Sequence, residues 1–245
     1  MRKINRFLRF IFVFCAAAPP VTAQVDEGQL SCLLEPSQEI NIASQVQGVI
    51  KRVNGERGDT VAKGKPLIWL EQDVETAEVN LAREKLEFSK RKLDRNQDLI
   101  KEGLITDFEA DEITTEQNLF GLELRLVEAR LQQKIIYSPV DGVIVERMVS
   151  TGEYAGIEPL MTLAVLDPLH AEVVMNAGYY GQVKTGMTVE VFPEQGPAKS
   201  YTGVVKIVDQ IIDAASSTFG VRIELDNPDF SLPAGLRCRV HYLQE

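Results

Sequence analysis

Apolar positions along the first half of the chain fall in short runs separated by glycine-containing turns. Gly48-Val49-Ile50, Val53, Thr60-Val61 and Leu67 to Leu70 fit strands of about five residues. The same arrangement returns downstream. One copy runs from Gln47 to Leu70 and the other from Asp141 to Leu163. In both, Gly-Val-Ile is followed by a second glycine, at Gly48 to Gly58 and Gly142 to Gly152, and then by Pro-Leu, at Pro66-Leu67 and Pro159-Leu160. Glycines at matching places predict turns with positive φ at all four positions. Neither half alone can bury both faces of its hairpins, so the two are expected to pack together as a flattened barrel or sandwich.

The periodicity changes between the copies. From Val74 to Lys101 there is neither Gly nor Pro, and Glu, Lys, Arg, Leu and Ala dominate, as a long helix requires. Val79, Ala82, Leu86, Ser89, Leu93, Asn96 and Ile100 alternate at spacings of three and four, and Ala110, Ile113, Gln117, Phe120, Leu124, Val127 and Leu131 repeat the pattern. Two narrow seams predict an antiparallel coiled-coil hairpin, with the polar members Ser89, Asn96 and Gln117 weakening the seam and fixing its register. At about 28 residues per helix the hairpin projects roughly 40 Å. Its turn is specified locally. Gly103 fits a left-handed C-terminal cap with Leu104 packing back on Leu99, and Thr106 with Glu109 forms a capping box.

Beyond Leu166-Asp167-Pro168 the composition shifts, and Asp-Pro suggests a boundary. Apolar runs at Ala171 to Met175, Thr188 to Phe192, Tyr201 to Val208, Phe219 to Leu225 and Leu236 to Leu243 predict a small antiparallel barrel. Ala177 to Val183 is expected to form a short helix. The fold class is therefore mixed α and β, elongated and multidomain: a split β domain, an inserted helical hairpin and a β-barrel.

Charge and cysteine content refine this picture. Residues 1–23 carry Arg2, Lys3, Arg6 and Arg9 and no acid, then an apolar run from Phe10 to Ala18 and small side chains at Val21-Thr22-Ala23. That order reads as a secretory signal. A retained anchor is the alternative, but the run is shorter than the roughly 20 residues that span a bilayer. Removing those four cations takes the net charge from −10 to −14, which argues against phosphate-backbone binding and so against a nucleic-acid partner. Cleavage also removes Cys15 and leaves Cys32 and Cys238. An even pair in an oxidising compartment is a candidate disulfide, with two separate buried thiols as the alternative.

The pattern G-x-I followed by G-D-x-V-x-x-G-x-P-L resembles the biotinyl/lipoyl domain, over about 50 residues in two pieces. Carriers of that type present a modifiable lysine where the halves join. Here that place reads Gln72-Asp73-Val74-Glu75, and Lys63 and Lys65 come too early, so a carrier function lacks its attachment point. The hairpin turn resembles a second pattern. Periplasmic adaptor subunits, the HlyD-like membrane fusion proteins, carry R-x-x-x-L-x-x-x-x-x-x-S there. This chain has Arg95, Leu99 and Thr106 at those spacings, with threonine in place of serine. Ser217 to Leu236 is similar to the β-barrel domain of the same adaptors.

The resemblance implies a signal peptide at 1–23, an N-terminal arm at 24–40, lipoyl halves at 41–72 and 135–166, a hairpin at 73–134 and a barrel at 167–245. On that resemblance, the membrane-proximal domain of many members is expected to be absent or truncated. It also implies a periplasmic location, peripheral to the inner membrane. The partners would be an inner-membrane transporter of RND or ABC type and a TolC-like outer-membrane channel, with homo-oligomerisation as a hexamer. The residues themselves suggest no chemistry of their own. His170 and His241 are the only histidines and lie far apart, and no cluster has metal-ligand spacing. No Ser sits in a nucleophile-elbow context and no glycine loop suits phosphate. The expectation is a scaffold without cofactor, metal or catalytic residues. A freestanding exported coiled-coil binder and, less favoured, a biotin or lipoyl carrier are the alternatives.

Overall fold

The computed structural model describes residues 30–195 and 199–242. The expected signal segment and residues 24–29 of the arm lie outside them, as does Leu243 of the last expected strand. Two β units share a pair of long strands, β1 (Leu30–Ile42) and β8 (Met161–Asn176), which pair antiparallel from Cys32↔Val173 to Ile42↔Met161. A register shift between Pro36 and Gln38 interrupts the ladder. The Asp167-Pro168 position therefore lies inside a continuous strand.

At one end of this ribbon β1 and β8 close a six-stranded barrel with β9 (Thr188–Pro193), β10 (Tyr201–Val208), β11 (Thr218–Leu225) and β12 (Arg237–Tyr242), in the order β1-β12-β9-β10-β11-β8. Along β11 buried and part-exposed residues alternate strictly, the period-2 signature of a strand with one face on a core. Leu34, Leu169, Val191, Val221, Ile223 and Val240 fill that core. The helix expected over Ala177 to Val183 shrinks to a single 3-10 turn, Ala177–Tyr179. Gly178 lies within that turn and Gly181 has φ +87°, so the local sequence favours a turn over helix propagation. Cys32 and Cys238 face each other across β1 and β12, with Cα atoms 4.8 Å apart and their sulfurs bonded.

At the other end the ribbon continues into a sandwich. Its first sheet adds β6 (Gly142–Arg147) and β3 (Thr60–Val61) to β8, and its second runs β5-β4-β2-β7, using Ile135–Tyr137, Pro66–Leu70, Gly48–Val53 and Tyr154–Ala155. Ile50, Leu67, Leu70, Ile144, Leu160 and Leu163 form the core between them. Gly58 and Gly152 hold positive φ, +94° and +90°. Gly48 and Gly142 are not turn glycines: they open β2 and β6 as strand residues. The two differ in what they accommodate. A Cβ on Gly142 would stand 2.5 Å from the Ala164 carbonyl oxygen, whereas one on Gly48 would meet only ordinary contacts.

Between β4 and β5 the chain leaves the sandwich as α1 (Asp73–Lys101) and returns as α2 (Asp107–Gln132). All fourteen seam positions are buried or half-buried, with Val79, Ala82, Ser89, Ile113 and Val127 fully so. The ion pairs Lys85–Glu123 and Lys92–Glu116, both 2.8 Å, and Arg83–Glu128, 3.6 Å, flank the seam. Ser89 and Asn96 do not fix the register across the seam as expected. Their side chains donate to Leu86 and Lys92 carbonyls of their own helix, at 2.8 and 2.7 Å.

Candidate functional site

The hairpin tip is held by backbone closure from both sides. The Gly103 N–H donates to the Ile100 carbonyl at 3.2 Å and the Leu104 N–H to the Leu99 carbonyl at 2.9 Å. This is the paired closure that ends a helix on a left-handed residue. Gly103 supplies it at φ +68°. Three residues on, Thr106 caps the start of α2. Its hydroxyl accepts from the Glu109 N–H at 3.2 Å, while the Glu109 carboxylate accepts from the Thr106 N–H at 3.0 Å and hydroxyl at 2.9 Å. The Thr106 backbone bond, and after it the hydroxyl bond, hold the Glu109 carboxyl below the usual carboxylate range.

Arg95, Leu99 and Thr106 are all brought to this end of the molecule, and all three are exposed. The Arg95 Nε donates to the Arg91 carbonyl at 3.1 Å, and its guanidinium makes no ion pair among the described residues. Leu104 does not bury against Leu99. It contributes the backbone bond, and its side chain stays 65 % exposed. Phe108, absent from the sequence-based set, is 78 % exposed. The available signal was its position on α2, two residues before Ala110 and outside the three-four register of the seam.

The base of the hairpin is tied differently. α1 begins at Gln72 without a side-chain cap. Lys134 Nζ pairs with the Glu75 carboxylate at 2.9 Å and reaches the Gln47 carbonyl at 3.5 Å. Burial pushes the Glu75 carboxyl up, but the Lys134 hydrogen bond, a bond to its own backbone and the Lys134 charge together outweigh it and leave the group below its ordinary range. This tie joins both helix ends to the sandwich where a carrier would hold its modified lysine. Among the described residues no group of His, Cys, Asp and Glu is arranged to hold a metal ion. No helix among them is long and apolar enough to cross a membrane.

Residues 38–164 match the model of the CzcB-like barrel-sandwich hybrid domain, and residues 170–245 that of the CusB-like β-barrel domain. The chain belongs to the CzcB-like membrane fusion proteins. It is 24 % identical over 230 residues to the multidrug resistance protein MdtE of Escherichia coli K12, covering 82 % of this chain and 60 % of that protein. It is 24 % identical over 221 residues to the cobalt-zinc-cadmium resistance protein CzcB of Cupriavidus metallidurans, covering 80 % and 41 %. The chain thus spans about half the length of these curated relatives. A crystal structure of a MacA-MexA chimeric protein containing the Pseudomonas aeruginosa MexA α-hairpin domain superposes with a TM-score of 0.72. It is 18 % identical and covers 87 % of this chain and 77 % of the chimera. In this membrane fusion protein the split lipoyl-like unit, the inserted hairpin and the barrel are those of the family.

Proposed function

We propose that this membrane fusion protein is a periplasmic adaptor, linking an inner-membrane transporter of RND or ABC type to a TolC-like outer-membrane channel for efflux or secretion. The observation that carries the proposal is the tip. A helical lever about 40 Å long ends in exposed Arg95, Leu99 and Thr106, held by the two backbone closures, while the barrel lies at the opposite end of the β1–β8 ribbon. Its role is geometric rather than catalytic. The hairpin reaches the channel, and the barrel and lipoyl-like units contact the transporter. Exposed apolar residues recur every seventh position on α1 at Val74, Leu81 and Phe88, and α2 exposes Leu119, Leu122 and Leu126. Such stripes suit hairpins packing side by side in a homo-oligomer, a hexamer by family resemblance. A secretory leader would place the chain in the periplasm, peripheral to the inner membrane through its transporter.

The test is in-cell photo-crosslinking from positions 99 and 106 during active export, with the captured protein identified by mass spectrometry. Capture of an outer-membrane channel is the expected result. Capture of nothing, or of this chain alone, would reduce Arg95, Leu99 and Thr106 to helix closure and overturn the proposal.

A further inference from the structure

Single exposed leucines are ordinary on protein surfaces. Here a leucine and a phenylalanine share the end of a long lever, and neither buries its side chain in the hairpin. Leu104 sits in the turn and Phe108 in the first turn of α2, both among the exposed large apolar residues. The closures at Gly103 and Thr106 fix the backbone on either side, so the pair is presented on a rigid support and loses little conformational freedom when covered. Beside Phe108 an open, shallow groove runs along α2, its lining including Phe108, Asp111, Glu112, Glu116, Leu119 and Phe120.

The charge around this apolar pair is one-sided. From Asp98 to Glu112 there are six carboxylates and one lysine. Lys101 is taken up by Asp98 at 3.6 Å, and Glu109 is engaged with Thr106. Glu102, Asp107, Asp111 and Glu112 are exposed and make no ion pair among the described residues. A surface that strips water from Phe108 must also lower the dielectric around these carboxylates. Without opposite charges facing them, that desolvation opposes docking.

We infer that Leu104 and Phe108 form an apolar knob inside a ring of carboxylates, and that the channel face receiving it is an apolar socket rimmed by lysine or arginine. The inference rests on the proposed docking of the tip to an outer-membrane channel, and it adds residues that lie outside the Arg95, Leu99, Thr106 pattern. An anionic lipid surface is the wrong partner for such a knob, because the carboxylates repel it.

The experiment uses the full chain and a purified TolC-like channel in detergent, with affinity measured from about 50 to about 500 mM salt, a range over which exposed charges become screened. Far-UV circular dichroism verifies that each variant keeps its helices. Phe108→Ser and, separately, Leu104→Ser are expected to weaken docking by about tenfold or more at every salt concentration, as loss of a central apolar anchor does. The paired change Asp111→Lys with Glu112→Lys is expected to weaken docking at low salt and to flatten the salt dependence. If the parent chain fails to bind the channel, this inference and the proposed function fall together. If the parent binds and Phe108→Ser binds equally well, only this inference falls. Loss of self-association in sedimentation, with channel affinity unchanged, would assign the knob to a contact between copies and overturn it as well.

Discussion

At the level of single residues, Thr106 holds the first turn of α2 through both its hydroxyl and its backbone N–H. Thr106→Ala removes the hydroxyl and is expected to cost about 1 kcal/mol of local helix stability, read as faster amide exchange over residues 107–110. Thr106→Ser should retain the protection. The same site has a pH dependence with a definite sign. The Glu109 carboxyl is depressed in the folded chain, so its contribution is complete above the unfolded carboxylate value of about 4.3. It is lost as pH falls through the lower folded value. Protection factors at the tip, with exchange corrected for its intrinsic pH dependence, should therefore fall in acid for the parent chain and change less in Thr106→Ala. Asn227 is another residue where one side chain does several jobs. It is 2 % exposed. Its Nδ2 donates to the Leu166 and Leu232 carbonyls and its Oδ1 accepts from the Leu232 N–H, each at 3.0 Å, while its own N–H donates to Asp167 at 2.8 Å. Asn227→Ala takes this partner from the two buried Leu232 backbone groups and from the half-buried Leu166 carbonyl, and should lower unfolding stability by about 3 kcal/mol, measured by urea denaturation.

At the level of elements, the hairpin behaves as a seam of marginal apolarity supported at its edges. Asn96 is half-buried and satisfied by its own helix, so Asn96→Leu removes a polar group from the interface without orphaning a partner across it. The expected result is a higher melting temperature, corresponding to about 1 kcal/mol, with no change in helix content. A lower melting temperature would show that Asn96 contributes to register after all. The hairpin was also the most legible element in the sequence. Its seam, its turn glycine and its capping threonine are local signals separated by few residues, and all agree. The doubled glycines gave the sandwich strands for the same reason. Less readable were features set by distant partners. Gly142 keeps its small side chain because Ala164, on another strand, comes close, which no spacing within its own segment reveals. Asn227 lies in a loop whose partners Leu166 and Asp167 are about sixty residues away. At the tip, Arg95, Leu99 and Thr106 were readable as a spaced pattern. Phe108 lies off the seam, and the three-four register says nothing about which off-seam positions stay apolar and exposed.

At the level of the whole molecule, Cys32 and Cys238 bring together residues 206 positions apart. Cross-linking so long a segment restricts the unfolded chain, an effect of about 2–4 kcal/mol. The double variant Cys32→Ala with Cys238→Ala should unfold at correspondingly lower urea, and a reductant should shift the parent chain but leave the variant unmoved. The cross-link sits on the barrel part of a strand that also forms the edge of the sandwich. Because β1 and β8 each pass through both units, tension between barrel and hairpin runs along two covalent backbones side by side. A pull along the long axis would load this pair like twin cables, whereas a sideways push would bend them at the register shift near Pro36. The two strands therefore share any load along the ribbon, and the break in their ladder near Pro36 is where its hydrogen bonding is interrupted.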